Sequence, residues 1–504
     1  MCAGTVQQRL MAKTVFTGNT PPHSLINNYR RTLRLIPDSD VNLVATTPKS
    51  PVKLSGTIMP TNETAAPAAR PLASIQVDNL LINFTTQFNR IWDSAGSGSK
   101  KGSFWRPLPS ADLLPGYFPL GDVVSPGFEN INESNIVAVV CEGVPENGDT
   151  SKGKALGVPI DFEQVWKDSG SGAKADITIW RPIPPDGYVA LGMVCSNGRD
   201  KPLRNTVRCV RADLVIASPA NRMIWDDRGS GAKKNFSAWS TSPPSAPAGE
   251  ICFSPGTFVG INNHTRPTGD VAYSLRMKIA TRTRSSIVAP VLTGYEPPAA
   301  DEATTVTKIA YLPWFTVIDP DLNAVEQLRT SAFYRLERSD QYEFLGYGHN
   351  TGAISKTFQW SASKVQSAEM LSEFTGITSI RTETEWPLIH LAHVSTVNHL
   401  WTASIQFSAR LEKSFTHTEK SSDGWSRVTP VEVVAIAPKR KLIVVYRLKS
   451  VYRLFREDGT QVASPINYCD LDSLYVAEFP PEQGDNICAA ENHSDARIVG
   501  TSIS

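Results

Sequence analysis

The chain lacks most of the features that mark an enzyme, a membrane span or a disulfide scaffold. No window approaches the roughly 18 consecutive apolar residues of a membrane-spanning helix. Cysteine is scarce: seven in 504 residues, at positions 2, 141, 195, 209, 252, 469 and 488, odd in number and never spaced as Cys-x-x-Cys. That usage points to free, buried thiols rather than a disulfide framework. An excess of one charge is also missing. Fifty Lys and Arg against 49 Asp and Glu leave a net charge of +1, which argues against a broad electrostatic footprint for nucleic acid, and no nucleic-acid partner is expected. The opening Met1-Cys2-Ala3-Gly4-Thr5-Val6-Gln7-Gln8-Arg9-Leu10 has no apolar core of a secretory signal. The expectation is a protein made soluble in the cytosol and, if it acts outside cells, released without the usual export signal.

Catalytic signatures are absent too. There is no Gly-x-Ser-x-Gly, Walker loop, His-Glu-x-x-His or dinucleotide fingerprint, so neither an enzyme nor a cofactor is expected. Histidine is sparse, and its one cluster is His390, His393 and His399. Pro387 and the β-branched Val394, Thr396 and Val397 favour strand or loop there, and a strand turns 390 and 393 to opposite faces. That is poor metal geometry, and no metal site is expected. A pH-sensing role for the three imidazoles beside an apolar strand is the reading kept.

What the chain does have is an ordinary globular composition, 41% hydrophobic and 20% charged, and an internal repeat. Copy one runs Ile91-Trp92-Asp93-Ser94-Ala95-Gly96-Ser97-Gly98, then Phe104-Trp105-Arg106-Pro107, Pro115-Gly116-Tyr117 and Leu120-Gly121-Asp122-Val123. Copy two is Val165-Trp166-Lys167-Asp168-Ser169-Gly170-Ser171-Gly172, then Ile179-Trp180-Arg181-Pro182, Asp186-Gly187-Tyr188 and Leu191-Gly192-Met193-Val194. Copy three is Ile224-Trp225-Asp226-Asp227-Arg228-Gly229-Ser230-Gly231, then Ala238-Trp239 and Ala248-Gly249-Glu250-Ile251. The first Trp stands four residues before the first Gly in each, and the two Trp are 13, 14 and 14 apart. The pattern reads as a strand ending in Trp, a glycine turn, and a return strand ending in the second Trp. With a Pro-rich edge after it, each unit is expected to form a sheet of about four strands. Three such sheets about a pseudo-threefold axis make a β-prism.

The Trp-x-Asp-x-Gly-Ser-Gly-Ala, Trp-Arg-Pro and Leu-Gly-x-Val signature resembles the tandem repeats of the vacuolar-protein-sorting sixty-two-type family, as does Val207-Arg208-Cys209-Val210-Arg211-Ala212-Asp213-Leu214-Val215 at a repeat's close. The resemblance implies sorting-related or toxin-like proteins whose prism engages a membrane receptor. Copy three departs from it at Ser240 and Glu250. Candidate ligand positions therefore fall in copies one and two: Asp93, Gly96, Gly98, Trp105, Arg106 and Tyr117, with Asp168, Gly170, Gly172, Trp180, Arg181 and Tyr188. The glycine turns read first as plain structural hairpins and second as a small polar pocket for a sugar, a lipid headgroup or calcium, and both readings stay open.

The second half reads as long-stranded β. Residues 1–80 form an N-terminal extension, 81–270 the repeat domain, 271–310 a linker or domain edge around Pro297-Pro298, and 311–504 an elongated antiparallel β domain. Trp401, Ala403, Ile405, Phe407, Ala409 and Leu411 alternate with polar residues, as do Phe358, Trp360 and Ala362. Tyr334-Arg335-Leu336-Glu337-Arg338 and Tyr452-Arg453-Leu454-Phe455-Arg456 echo one another, suggesting two strands of one sheet. The stretch Tyr334 to Thr384, with Tyr347-Gly348-His349-Asn350-Thr351-Gly352 and Phe374-Thr375-Gly376-Ile377, resembles the Ser/Thr-rich middle region of aerolysin-like β-pore-forming proteins. That resemblance implies an insecticidal-type toxin. Its prism would recognise a glycan or lipid on a target membrane, and a homo-oligomer would insert an amphipathic hairpin through Phe358, Trp360, Trp401, Ile405 and Phe407. The alternative is a sorting-related or lectin-like binding module that forms no pore.

Overall fold

The computed structural model describes residues 73–145, 148–297, 304–363, 405–412, 415 and 430–481, all within one compact unit, residues 68–504. The fold is all-β, and the one α-helix among the described residues is the short Ala324–Thr330. His390, His393, His399 and Trp401 lie outside the described residues.

Copies one and two each build two small antiparallel sheets rather than one of about four strands, with three and four strands in copy one and three and three in copy two. In copy three the long strand Val215–Asp226 joins the equivalent strands into one six-stranded sheet. The first sheet of copy one joins Phe88–Asp93, Gly102–Pro107 and Val123–Pro126. Copy two repeats it with Asp161–Lys167, Ile177–Ile183 and Val194–Asn197. Copy three uses the end of Val215–Asp226, with Ser237–Thr241 and Val259–Ile261. In all three the middle strand carries the second Trp.

The second sheet is centred on the strand that closes the repeat: Val137–Glu142, Cys209–Arg211 and Asp270–Lys278. Each closing strand lies between a strand entering the repeat (Leu80–Thr85, Leu156–Gly157, the start of Val215–Asp226) and a short strand after the Pro-rich stretch. The extra sheet exists because proline and glycine stop the return strand and force the chain to begin a new ladder.

A bulge precedes the first Trp in every copy. The strand register skips Ile91, Val165 and Ile224. A regular strand would send neighbouring side chains to opposite faces. The extra residue lets Ile91-Trp92, Val165-Trp166 and Ile224-Trp225 all pack into one axial core. Around that axis the copies exchange bulk at two positions. Gly102 with Phe104, Ile177 with Ile179, and Phe236 with Ala238 fill equivalent places. Gly102 has no side chain because the Trp225 indole lies where one would go: a Cβ there would be 2.2 Å from the ring.

The third repeat runs without a break into the second half. Asp270–Lys278 belongs to its sheet, and Ala280–Thr283 already pairs with Thr305–Pro313. Residues 271–278 and 280–283, which fall within the 271–310 linker or domain edge expected from the sequence, are thus strand, and the ladder ends at Thr283, ahead of Pro290. The five-stranded sheet continues through Phe333–His349, Leu442–Phe455 and Ile466–Phe479. The Tyr-Arg-Leu echo marks true neighbours, with Arg335 opposite Phe455 and Leu336 opposite Leu454. One hydrophobic core spans both halves, from Ile82 and Leu275 to Tyr334 and Tyr452. At their junction Phe315 meets Phe84, Phe253 and Phe407 at 5.6, 4.8 and 5.8 Å between ring centres.

Candidate functional site

The glycines of the repeat turns meet across the pseudo-threefold axis. A Cβ on Gly96 of copy one would be 2.9 Å from the Gly172 carbonyl oxygen of copy two. On Gly229 of copy three it would be 2.8 Å from Gly98 oxygen, and on Gly170 it would come 4.0 Å from Gly231 oxygen. First glycine therefore meets second glycine in cyclic order. Gly96, Gly170 and Gly229 also take φ of 90, 85 and 84°, open to glycine and strained for other residues. Indole hydrogen bonds close the same ring: Trp92 Nε1 donates to Ala175 O (2.6 Å), Trp166 to Lys234 O (2.7 Å) and Trp225 to Lys100 O (2.8 Å).

The acidic residues of the turns face inward. Asp93 and Asp226 each accept from the backbone N–H two residues on, Ala95 and Arg228. Asp168 is not their counterpart; the position after Trp166 is Lys167, and Asp168 matches Ser94 and Asp227. Ser94 Oγ accepts from Gly102 N, Asp227 from Phe236 N and a His264 ring nitrogen, and Asp168 from Ser171 Oγ. Burial pushes the Asp168 carboxyl up, outweighing the Ser171 hydrogen bond, and the charges of Asp176 and Asp227 add to the rise. Among the described residues no group of three or more His, Cys, Asp or Glu is arranged to hold a metal ion.

The other candidate ligand residues already have protein partners. Trp105 and Trp180 are buried in satellite cores beside Phe88 and Phe162, and donate to Ser103 and Ser196. Arg106 forms a two-pronged pair with the fully buried Asp122 (3.0 and 2.9 Å) and donates to Cys195 O in copy two. Arg181 instead pairs with Glu163 on the surface. Tyr117 shares a 2.6 Å hydrogen bond with Ser74, and Tyr188 donates to Lys154 O.

Lysines, passed over because the repeats were aligned on Trp and Gly, are what the turns present to solvent. Two residues after the second glycine stand Lys100, Lys174 and Lys233, all exposed around the exposed glycine ring. Reading each copy through to that position would have shown them.

The proposed inserting residues separate into two groups. Phe358 and Trp360 lie on Lys356–Ser363, which pairs with Pro430–Ala437 as a two-stranded ribbon. The ribbon packs on the long sheet through Ala362, Val433, Ala435, Ile443 and Val445. Phe358 and Trp360 stack with their rings 13° apart. They rest on a glycine shelf, since a Cβ on Gly348 would be 2.4 Å from the Phe358 ring and one on Gly346 2.2 Å from Trp360. Thr357, Gln359 and Ser361 face solvent. Ile405 and Phe407, by contrast, belong to the main core, and Phe407–Ala409 extends the third repeat's sheet against Glu250–Phe253.

Gly346→Val or Gly348→Val is expected to lift the ribbon, because overpacking a fitted contact costs about 1–3 kcal/mol. Limited proteolysis should then cut within 356–437 roughly tenfold faster while the repeat module stays intact. An unchanged cleavage rate would show that the aromatic–glycine contact does not hold the ribbon.

A family model described as Vacuolar protein sorting-associated protein 62 matches residues 55–283, which take in all three repeats and the closing strand of the third. No match is found among curated proteins. Among solved structures, GNIP1Aa from Chromobacterium piscinae is similar at 25% identity over 38% of this chain and 34% of its own, with a TM-score of 0.32. The chain thus spans about a third of that protein's length. Cry35Ab1 is similar at 9% identity over 81% of this chain and 91% of its own, with a TM-score of 0.30.

Proposed function

We propose that this chain, which carries the sorting-associated repeat module over residues 55–283, is a non-enzymatic toxin that binds a glycan or lipid of a target membrane. After self-association it inserts the amphipathic ribbon and forms a pore. The observation that carries the reading is the ribbon itself. Its aromatic face is folded down on Gly346 and Gly348, its other face on Lys356–Ser363 presents Thr357, Gln359 and Ser361, and residues 364–429 separate its two strands. A ribbon with one apolar and one Ser/Thr/Gln face suits a barrel wall, apolar to lipid and polar to the lumen.

Phe407–Ala409, between the two ribbon strands in sequence, is paired to the third repeat. Membrane docking of the repeats would thereby act on the segment that must leave. The second reading is a membrane- or glycan-binding module with no pore, in which the ribbon stays folded on Gly346 and Gly348.

Dye release decides between them. The pore reading expects leakage from receptor-bearing vesicles or cells, with ring-shaped oligomers in electron micrographs. Binding without leakage at any point between about pH 5 and 8, the span in which imidazoles titrate, supports the second reading and overturns the first.

A further inference from the structure

The glycine ring and its lysines point to the chemistry of the surface that the repeats dock on. Lys100, Lys174 and Lys233 occupy one equivalent position in the three copies, with Lys101, Lys234 and Lys167 close by in sequence. All six are exposed. Among the described residues none of them takes part in an ion pair; Lys101 leans over the Phe128 ring at 5.7 Å. The carboxylates of the same turns are engaged elsewhere. Asp93, Asp168, Asp226 and Asp227 close the turns from inside, and the exposed Asp176 lies 3.7 Å from Arg199. Arg228, also exposed, lies 3.3 Å from the buried Asp226. Acid is thus folded inward and base outward in a chain whose total charge is nearly zero.

The backbone that presents these lysines is fixed. Lys174 N donates to Ala95 O, Lys233 N donates to Ser169 O, and the carbonyls of Lys100 and Lys234 accept from Trp225 and Trp166. Glycines at the centre put no side chain between the lysines and whatever lies beyond them. Flexible cations around a bare backbone ring make a poor pocket for a single sugar, which needs fixed, converging polar groups. They suit a planar array of negative charge, which each cation meets independently.

We infer that the axial end of the three repeats bearing these lysines is a docking face for anionic lipid headgroups. The inference rests on the membrane reading above and narrows its receptor to an acidic lipid surface.

Co-sedimentation of the full chain with phosphatidylcholine vesicles, with and without phosphatidylserine, tests it. Wild type should bind only the acidic vesicles, and high sodium chloride should release it. The Lys100→Gln/Lys174→Gln/Lys233→Gln variant should bind on the order of 100-fold more weakly, about fivefold for each lysine near a charged surface. The corresponding three Lys→Arg changes should keep binding, and the Gln variant's unchanged melting temperature would show that it is folded. Equal binding to neutral vesicles, or a Gln variant that binds as wild type, overturns the inference. So does capture by a sulfated polysaccharide with no vesicle binding. The two proposals fail separately: lysine-dependent binding without leakage removes only the pore, and leakage that ignores the three lysines removes only the docking face.

Discussion

Trp225→Ala is expected to lower the melting temperature by roughly 3–5 °C, from about 3–5 kcal/mol for emptying a buried Trp site and about 1 °C per kcal/mol for a unit of this size. Trp225 is the hub of the axial core. Its ring lies 5.9 Å from Trp92, 5.4 Å from Phe104, 6.4 Å from Trp166 and 6.3 Å from Phe236. It also covers Gly102, which cannot reach across the space left behind. Its Nε1 ties copy three to Lys100 of copy one, so the substitution opens the ring as well as the core. Trp225→Phe keeps most of the apolar volume and loses that hydrogen bond, so a smaller loss is expected, of about 1–3 kcal/mol. Differential scanning calorimetry with near-ultraviolet circular dichroism reads both. An alanine variant that melts with wild type would mean that the three copies do not share one axial core.

The repeat was legible because tryptophan and glycine are each constrained by something local. Gly96, Gly170 and Gly229 need positive φ whatever surrounds them, and Trp92, Trp166 and Trp225 bury large rings at one spacing. What stayed hidden depends on neighbours distant in sequence. The bulges at Ile91, Val165 and Ile224 leave no pattern of their own, because adjacent apolar residues occur in ordinary strands too. The meeting of first and second glycines across the axis likewise follows from three-copy packing. In the second half, the Tyr334 and Tyr452 echo pointed to two strands of one sheet, and the structure makes them direct neighbours, whose cross-strand partners share an environment. Alternation could not assign faces, however. Ile405 and Phe407 alternate as cleanly as Phe358 and Trp360, yet the first pair is in the main core and the second lies on a two-stranded ribbon laid against the long sheet. Period two reports that one side is apolar, never what covers it. The candidate ligand residues show the same limit: Arg106 and Arg181 share a motif but have different partners, one buried and one on the surface.

That difference sets the second large effect. Arg106→Met is expected to destabilise the fold by about 3–5 kcal/mol near neutral pH, the range for removing one member of a buried ion pair. Asp122 is fully buried, and besides Arg106 its carboxylate accepts from the Cys195 backbone N–H (2.6 Å) and the Cys195 thiol. Burial already pushes the Asp122 carboxyl up and Arg106 draws it partly back, so the variant raises it further. A carboxyl with a folded-state pKa above its unfolded value binds its proton more tightly when folded. Stability is then regained as pH falls through the folded pKa, and the gain is complete near the unfolded value of about 4. The deficit of Arg106→Met should therefore be largest at neutral pH and shrink on acidification, as read from urea midpoints across that window. The repeats themselves supply the rescue. Copies two and three carry Met193 and Phe258 where copy one has Asp122, and copy three carries Ser240 where it has Arg106. Arg106→Ser/Asp122→Met should recover most of the loss and its pH dependence, less about 1 kcal/mol for the Cys195 amide left without its acceptor. A double variant as weak as the single one would show that the pair's role is to hold copy one to copy two at Cys195 rather than to neutralise a buried charge.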